Sequence, residues 1–120
     1  MQFFIPIACR NAEAYIGACL LSILEQTHQD WRAVVVDDCS TDKTKEVAER
    51  VAKGDKRITV IRTEQRKYAL KNIIETIWRF ARHDSIVATI DGDDRLSDPD
   101  ALKAIVAEYD RTGADALWTS

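Results

Sequence analysis

Ala33-Val34-Val35-Val36-Asp37-Asp38-Cys39-Ser40-Thr41-Asp42 is the stretch that decides the fold. Successive residues of a strand point to opposite faces, so four apolar residues in a row leave neither face suited to water. A strand over 31–36 is therefore expected to be buried on both sides, as strands are in parallel sheets covered by helices. Its apolar run stops at two adjacent carboxylates. Ser40, Thr41 and Asp42 then offer caps for a helix that follows.

The same alternation extends in both directions. Residues 3–9 read as a strand. Asn11 is expected to cap the next helix, with Glu13 in its first turn, and Tyr15, Ile16, Cys19, Leu20, Ile23 and Leu24 repeat at helical spacing. The helix after Asp42 carries Glu46/Arg50 and Glu49/Lys53 at i,i+4, and Gly54 ends it in the left-handed conformation. A third strand is expected over 58–61. A helix over 68–82 follows, with Leu70, Ile73, Ile74, Ile77, Trp78 and Ala81 on its apolar side. A fourth strand is expected over 85–90. Asp98 is expected to cap a further helix with Pro99 at its first position. Leu102, Ile105, Val106 and Tyr109 would face the core, Gly113 would close the helix, and 116–119 would begin a fifth strand. Trp31, Trp78 and Trp118 are all expected in the core. The order predicts an α/β fold: a mostly parallel sheet with helices on both faces, in one unbroken domain over 1–120.

Composition narrows the chemistry. The chain has 120 residues, 46% of them hydrophobic and 31% charged, a folded rather than a disordered balance. Its net charge is −3, which gives no overall attraction to nucleic acid or to an anionic membrane. The four glycines, at 17, 54, 92 and 113, are too scattered for a GxGxxG fingerprint or a GxxxxGK[ST] phosphate loop. Two histidines and the three cysteines Cys9, Cys19 and Cys39 give no zinc spacing and no disulfide framework, which points to a reducing, cytoplasmic setting. The cysteines read as small packing residues. No apolar run approaches the ~18 residues of a membrane span.

In open parallel sheets, ligands bind beyond the carboxyl ends of the strands. Two acidic clusters are expected there. Asp37 and Asp38 follow the second strand, and Asp91-Gly92-Asp93-Asp94 follows the fourth. Carboxylates crowded together repel unless a cation sits among them. Oxygen donors suit Mg²⁺ or Mn²⁺, which often share phosphates as ligands. Asp91, Asp93 and Asp94 are therefore candidate ligands of a metal–diphosphate site, and Gly92 allows close approach. Asp98 and Asp100 read as helix-start residues. One carboxylate of the Asp37/Asp38 pair can cap a helix, and the other can accept a hydrogen bond from a nucleobase N–H. Arg62, Arg66, Lys67 and Lys71 supply counter-charge on the same edge.

These residues also resemble a known family. Asn11-Ala-Glu-Ala-Tyr-Ile, Ser22-Ile-Leu-Glu-Gln-Thr27, Val35-Val-Asp-Asp-Cys-Ser-Thr-Asp42, Ile90-Asp-Gly-Asp-Asp94 and Pro99-Asp100 are similar, in order and spacing, to the nucleotide-binding half of family 2 glycosyltransferases with the Rossmann-like GT-A fold. The resemblance implies a nucleotide-sugar donor, a UDP-sugar before others, and an acceptor that is a glycan, lipid or protein. It implies that Ala8, Arg10 and Asp38, with Asp37, hold base and ribose. Asp91 and Asp93, with Asp94, would serve ribose, metal and diphosphate, and Arg66, Lys67 or Lys71 would approach the diphosphate. It implies inverting displacement at the anomeric carbon, with a carboxylate base beyond residue 120 and the acceptor-binding part absent. Ala8-Cys9-Arg10-Asn11 stands where the family usually has Pro-x-Tyr-Asn, Cys39 stands where glycine is frequent, and the glycine-rich segment before the third helix is missing. Two other readings compete. One is a binding fragment or scaffold without catalysis. The other is an aspartate-based phosphoryl-transfer domain, for which the acidic pair follows the wrong strand.

Overall fold

The structure is a computed structural model that describes residues 2–112. The elements run β1 (Phe3–Cys9), α1 (Ile16–Leu24), β2 (Trp31–Asp37), α2 (Thr44–Ala52), β3 (Ile58–Arg62), α3 (Ala69–Phe80), β4 (Ile86–Val87) and α4 (Ala101–Thr112). The four strands form one sheet in the order β3-β2-β1-β4, and every pairing is parallel. The α/β expectation holds. The predicted strand over 116–119 and Trp118 lie outside the described residues, as does Gly113.

Every residue of β1 is buried, and in β2 only Arg32 is not. That is the physical content of the uninterrupted apolar runs. The larger core lies on one face, where Phe3, Ile5, Ile7, Ala33 and Val35 meet side chains of α1 and α2 and Leu102 of α4. The other face has a smaller core of Phe4, Val34 and Val36, covered by Ile77 and Phe80 of α3. Cys9, Asp37 and Arg62 stand in register across β1, β2 and β3, so three strands end at one level. β4 is only two residues long, shorter than the expected 85–90. The chain nevertheless keeps beside β1 beyond it: Ala88, Ile90 and Gly92 donate their N–H groups to the carbonyls of Phe4, Pro6 and Ala8.

Several local expectations are corrected. Asn11 does not cap α1. It adopts φ 53°, and its Oδ1 accepts the N–H of Thr41 at 2.8 Å, tying the loop after β1 to the loop after β2. α4 starts at Ala101 rather than at Pro99, although the Asp98 carboxylate accepts the Asp100 N–H at 2.7 Å, as expected of a cap. α3 is shorter than 68–82. Only part of its expected apolar side is covered: Ile77 and Ala81 pack on Phe4, Val34 and Val36, and Asn72 and Thr76 are buried, whereas Leu70, Ile74 and Trp78 are exposed. Trp78 is thus a surface residue, while Trp31 is buried as expected, with the Arg57 guanidinium 3.9 Å above its ring. On α2, Glu49 pairs with Lys45 at 3.3 Å. Gly54 is left-handed at φ 84°, as expected.

Candidate functional site

The strand order reverses between β1 and β4. Chain leaving β1 turns toward β2, whereas chain arriving along β4 lies on the opposite side. A crevice opens at such a switch point, beyond the carboxyl ends of the strands. Both acidic clusters lie at this edge, one on either side of β1.

Asp91, Asp93 and Asp94 form the first cluster. All three are exposed, and each offers a carboxylate oxygen within 4.8 Å of the others. The Asp94 N–H donates to the Asp91 carbonyl at 3.0 Å, closing the turn that gathers them. Gly92 is buried beneath this turn. A Cβ placed on it would lie 2.4 Å from the Cys9 Cβ and 3.5 Å from the Ile16 Cδ1. Its missing side chain therefore admits the end of β1, and the close approach it allows is to protein. The Cys19 thiol lies 3.8 Å from the Asp91 carbonyl beneath the same turn. Burial, with the charges of Asp94, Asp93 and Asp91, pushes this thiol up to about 12. Burial and the Asp37 charge do the same to Cys9. Both stay protonated and act as packing groups.

The second cluster differs in every respect. Asp37 is fully buried. Its Oδ1 accepts the Ser40 N–H at 3.0 Å and the Ser40 hydroxyl, while Oδ2 has no partner among the described residues. Asp38 is also buried, and its carboxylate is crowded with donors. Oδ1 accepts the Lys67 N–H at 2.8 Å and the Thr63 hydroxyl at 3.1 Å. Oδ2 accepts the Tyr68 N–H at 2.9 Å, with the Arg66 Nε 3.6 Å away. Burial alone would raise the Asp38 carboxyl. The Lys67 and Tyr68 N–H groups, with Asn72 and Thr63, outweigh it and hold the group at about 2. Asp38 thereby anchors the whole 63–68 segment and the start of α3. Tyr68 accepts φ 67° there, a conformation L side chains rarely adopt.

The two clusters meet through Cys9. Its carbonyl accepts the Asp38 N–H at 2.9 Å, and its Cβ lies against Gly92. Ser40 and Thr44 add further ties, accepting the N–H groups of Asn11 and Ala12 at 2.9 Å each. Sequence reading treated Cys9 as plain core and Asn11 as a cap. No spacing rule signals a cross-loop contact, although the absence of glycine around 63–68 hints at an unusual path.

The remaining candidates scatter. Ala8 is buried in β1, and Arg10 is exposed beside it. Arg66 stacks over the Tyr68 ring at 4.2 Å. The Lys67 ammonium is turned to Glu75 at 3.0 Å, and Lys71 is exposed on α3. Arg62 is drawn back to the Ser40 carbonyl at 2.9 Å. A cavity of about 470 Å³ lies on the α3 side of the sheet, lined among others by Val36, Arg62, Asn72 and Arg79. None of the five aspartates lines it, but Thr63 and Lys67, which donate to Asp38, do.

An oxygen-only donor set that is exposed, convergent and without a basic partner among the described residues fits a hard divalent cation. The saturated Asp38 cluster does not. TuaG of Bacillus subtilis, described as a glycosyltransferase of teichuronic acid biosynthesis, is 35% identical over 85 residues, covering 71% of this chain and 33% of its own. The crystal structure of S. aureus TarS 1-349 superposes with a TM-score of 0.82 at 27% identity, covering 96% of this chain and 34% of that one. The same TarS fragment in complex with UDP-GlcNAc gives a TM-score of 0.79 at 26% identity, covering 96% of this chain and 33% of that one. The chain thus spans about a third of the length of these proteins. The family model described as Glycosyl transferase family 2 matches residues 4–120. With that match beginning in the first strand and reaching the last residue, the chain belongs to glycosyltransferase family 2 and carries its GT-A fold.

Proposed function

We propose that this chain is the donor-binding part of a glycosyltransferase that uses a nucleoside-diphosphate sugar, a UDP-sugar before others. The observation that carries the reading is the exposed convergence of Asp91, Asp93 and Asp94 at the switch point, positioned by Gly92 against β1. The complex of TarS with UDP-GlcNAc, a fold neighbour above 25% identity, favours UDP as the nucleotide.

In this reading, Asp91, Asp93 and Asp94 hold Mn²⁺ or Mg²⁺. A bound cation would neutralise charge building on the leaving diphosphate. Ala8, Arg10, Asp37 and Asp38 form the base and ribose side. Asp38 serves there by fixing the 63–68 segment. Arg66, Lys67 and Lys71 supply cations toward the diphosphate, and Lys71 stands ready without a local acidic partner. The transfer is direct displacement with inversion. The base that deprotonates the acceptor hydroxyl and the acceptor-binding part come from residues outside 1–120, so this chain binds donor without completing a turnover.

Calorimetric titration with UDP, GDP and CDP, each with and without Mn²⁺, tests the assignment. One diphosphate, UDP first, is expected to bind in a metal-dependent way. Folded protein that binds none of them under any metal condition sinks the donor-site reading.

A further inference from the structure

Beyond β4 the chain runs from Ala88 to Asp100 without helix or strand. The backbone N–H and C=O groups of such a segment must find partners elsewhere. β1 supplies them as far as Gly92, whose N–H donates to the Ala8 carbonyl at 3.2 Å. After the acidic turn, α1 takes over. The Ser22 hydroxyl accepts the Leu96 N–H at 3.0 Å. Gln26 is 1% exposed and uses both ends of its amide. Its Nε2 donates to the Asp98 carbonyl at 2.8 Å and to the Ser22 carbonyl at 3.0 Å, and its Oε1 accepts the Leu102 N–H at 3.0 Å. Thr27 gives its N–H to the Pro99 carbonyl at 2.8 Å and its hydroxyl to the Asp100 carboxylate at 2.6 Å.

These contacts follow one another in order. Ile16 lies closest to the position a Gly92 side chain would take, and the Cys19 thiol faces the Asp91 carbonyl. Ser22 then holds residue 96, Gln26 holds 98 and 102, and Thr27 holds 99 and 100. Residues 16, 19, 22 and 26 recur at helical spacing, so one side of α1 and the turn after it tracks the irregular segment along its length. The acidic turn is thus pinned on both sides, by β1 at Gly92 and by α1 from Leu96 onward. Packing alone does not call for a buried amide here. An apolar side chain in place of Gln26 would fill the same space, yet it would leave the Asp98 carbonyl and the Leu102 N–H without this partner. A fully used amide specifies one register of the segment against α1.

We propose that Ser22, Gln26 and Thr27 are positioning residues for the metal triad: they clamp the 96–102 segment to α1 and so hold the turn over 91–94 in the register at which its carboxylates converge. The inference rests on the donor-site reading above, in which Asp91, Asp93 and Asp94 bind a divalent cation. The three residues act through the backbone, because their bonds to the segment fall two or more residues beyond Asp94. Gln26 carries most of the effect, since one side chain joins α1 to both Asp98 and Leu102.

Amide hydrogen exchange and Mn²⁺ titration followed by electron paramagnetic resonance test this on the same samples. In wild type the Leu96 and Leu102 amides are expected to be protected and Mn²⁺ to bind. Gln26→Ala should release the Leu102 amide to exchange and weaken Mn²⁺ binding about tenfold. Ser22→Ala is the milder variant, and it decides the matter if Gln26→Ala does not fold. It should release the Leu96 amide and weaken Mn²⁺ by a smaller factor, and Ser22→Thr, which keeps the hydroxyl, should restore both. Val34→Ala supplies the control. It opens the small core on the other face of the sheet, so it should lower stability and leave Mn²⁺ affinity at the wild-type value. Folded Gln26→Ala or Ser22→Ala protein that binds Mn²⁺ as tightly as wild type overturns the inference and leaves the donor site standing. Mn²⁺ affinity that falls as far in Val34→Ala as in Gln26→Ala also overturns it, by reducing Gln26 to a stability effect. Folded wild type that binds no Mn²⁺ overturns the donor-site reading, and this inference with it.

Discussion

Asp38 and Asp93 sit at the same edge of the same sheet, and the protein treats them in opposite ways. Asp38 is buried, and its carboxylate is surrounded by the Lys67 and Tyr68 N–H groups, the Thr63 hydroxyl and Arg66. Asp93 is exposed beside Asp91 and Asp94, with no donor from the described residues. One carboxylate is used by the fold; the other is left for something the fold does not provide. An acidic residue after a strand is therefore not a ligand by position alone. What distinguishes the two regions is whether protein donors already fill the oxygens.

Substitution should separate the regions most sharply. Asp38→Ala leaves two backbone N–H groups and a hydroxyl without their acceptor, and about 3 kcal/mol of stability should be lost. Asp93→Ala should change stability by less than about 0.5 kcal/mol, because it removes no internal hydrogen bond. Denaturant unfolding of both variants checks the pair. Equal losses would erase the distinction between a structural and a receptive carboxylate.

Gly92→Ala tests how the second region is held. The new Cβ would collide with the Cys9 Cβ, and overpacking of this kind costs about 1–3 kcal/mol. The turn must shift to relieve the collision, so Mn²⁺ affinity should fall together with stability. A variant that lost stability yet bound Mn²⁺ unchanged would show that the triad does not depend on the contact with β1.

Acid should weaken the first region before it affects the second. The Asp38 carboxyl is held at about 2 in the folded protein, against 3.8 as its ordinary value. A lowered folded value means stability that is complete above the ordinary value and drains as pH falls toward the folded one. The loss should amount to about 2 kcal/mol between roughly pH 4 and pH 2. Asp38→Asn should flatten that part of the stability curve. Fluorescence-monitored unfolding across this range reads the difference.

Much of this was legible before the structure. The unbroken apolar runs located β1 and β2 to within a residue, because burial on both faces leaves no polar position to confuse the reading. The acidic turn at 91–94 was legible as well, since three close carboxylates after an apolar strand have few structural uses. α3 was legible only in part, because periodicity reveals a stripe but not how much of it is covered: Ile77 and Ala81 meet the sheet, and Leu70, Ile74 and Trp78 do not. Its inner side covers only the small Phe4, Val34 and Val36 cluster, and it tolerates Asn72 and Thr76, whose hydroxyl donates to the Asn72 carbonyl at 2.5 Å. Asn11 was misread because a side chain that could cap its own helix instead crosses to Thr41. Both errors concern partners far away in sequence, which local pattern does not encode.

The smallest stability effect concerns the metal alone. Ligand that binds only the folded state raises apparent stability with concentration. Mn²⁺ should therefore raise the melting temperature of wild type by a few degrees at most and leave Asp93→Ala unmoved. The most direct measurement of the central claim couples metal to nucleotide. UDP affinity should be determined calorimetrically with and without Mn²⁺, in wild type and in Asp93→Ala. The account predicts that Mn²⁺ strengthens UDP binding to wild type and that Asp93→Ala, folded as before, loses this strengthening. Equal Mn²⁺ dependence in the two proteins, or none in wild type, would contradict it.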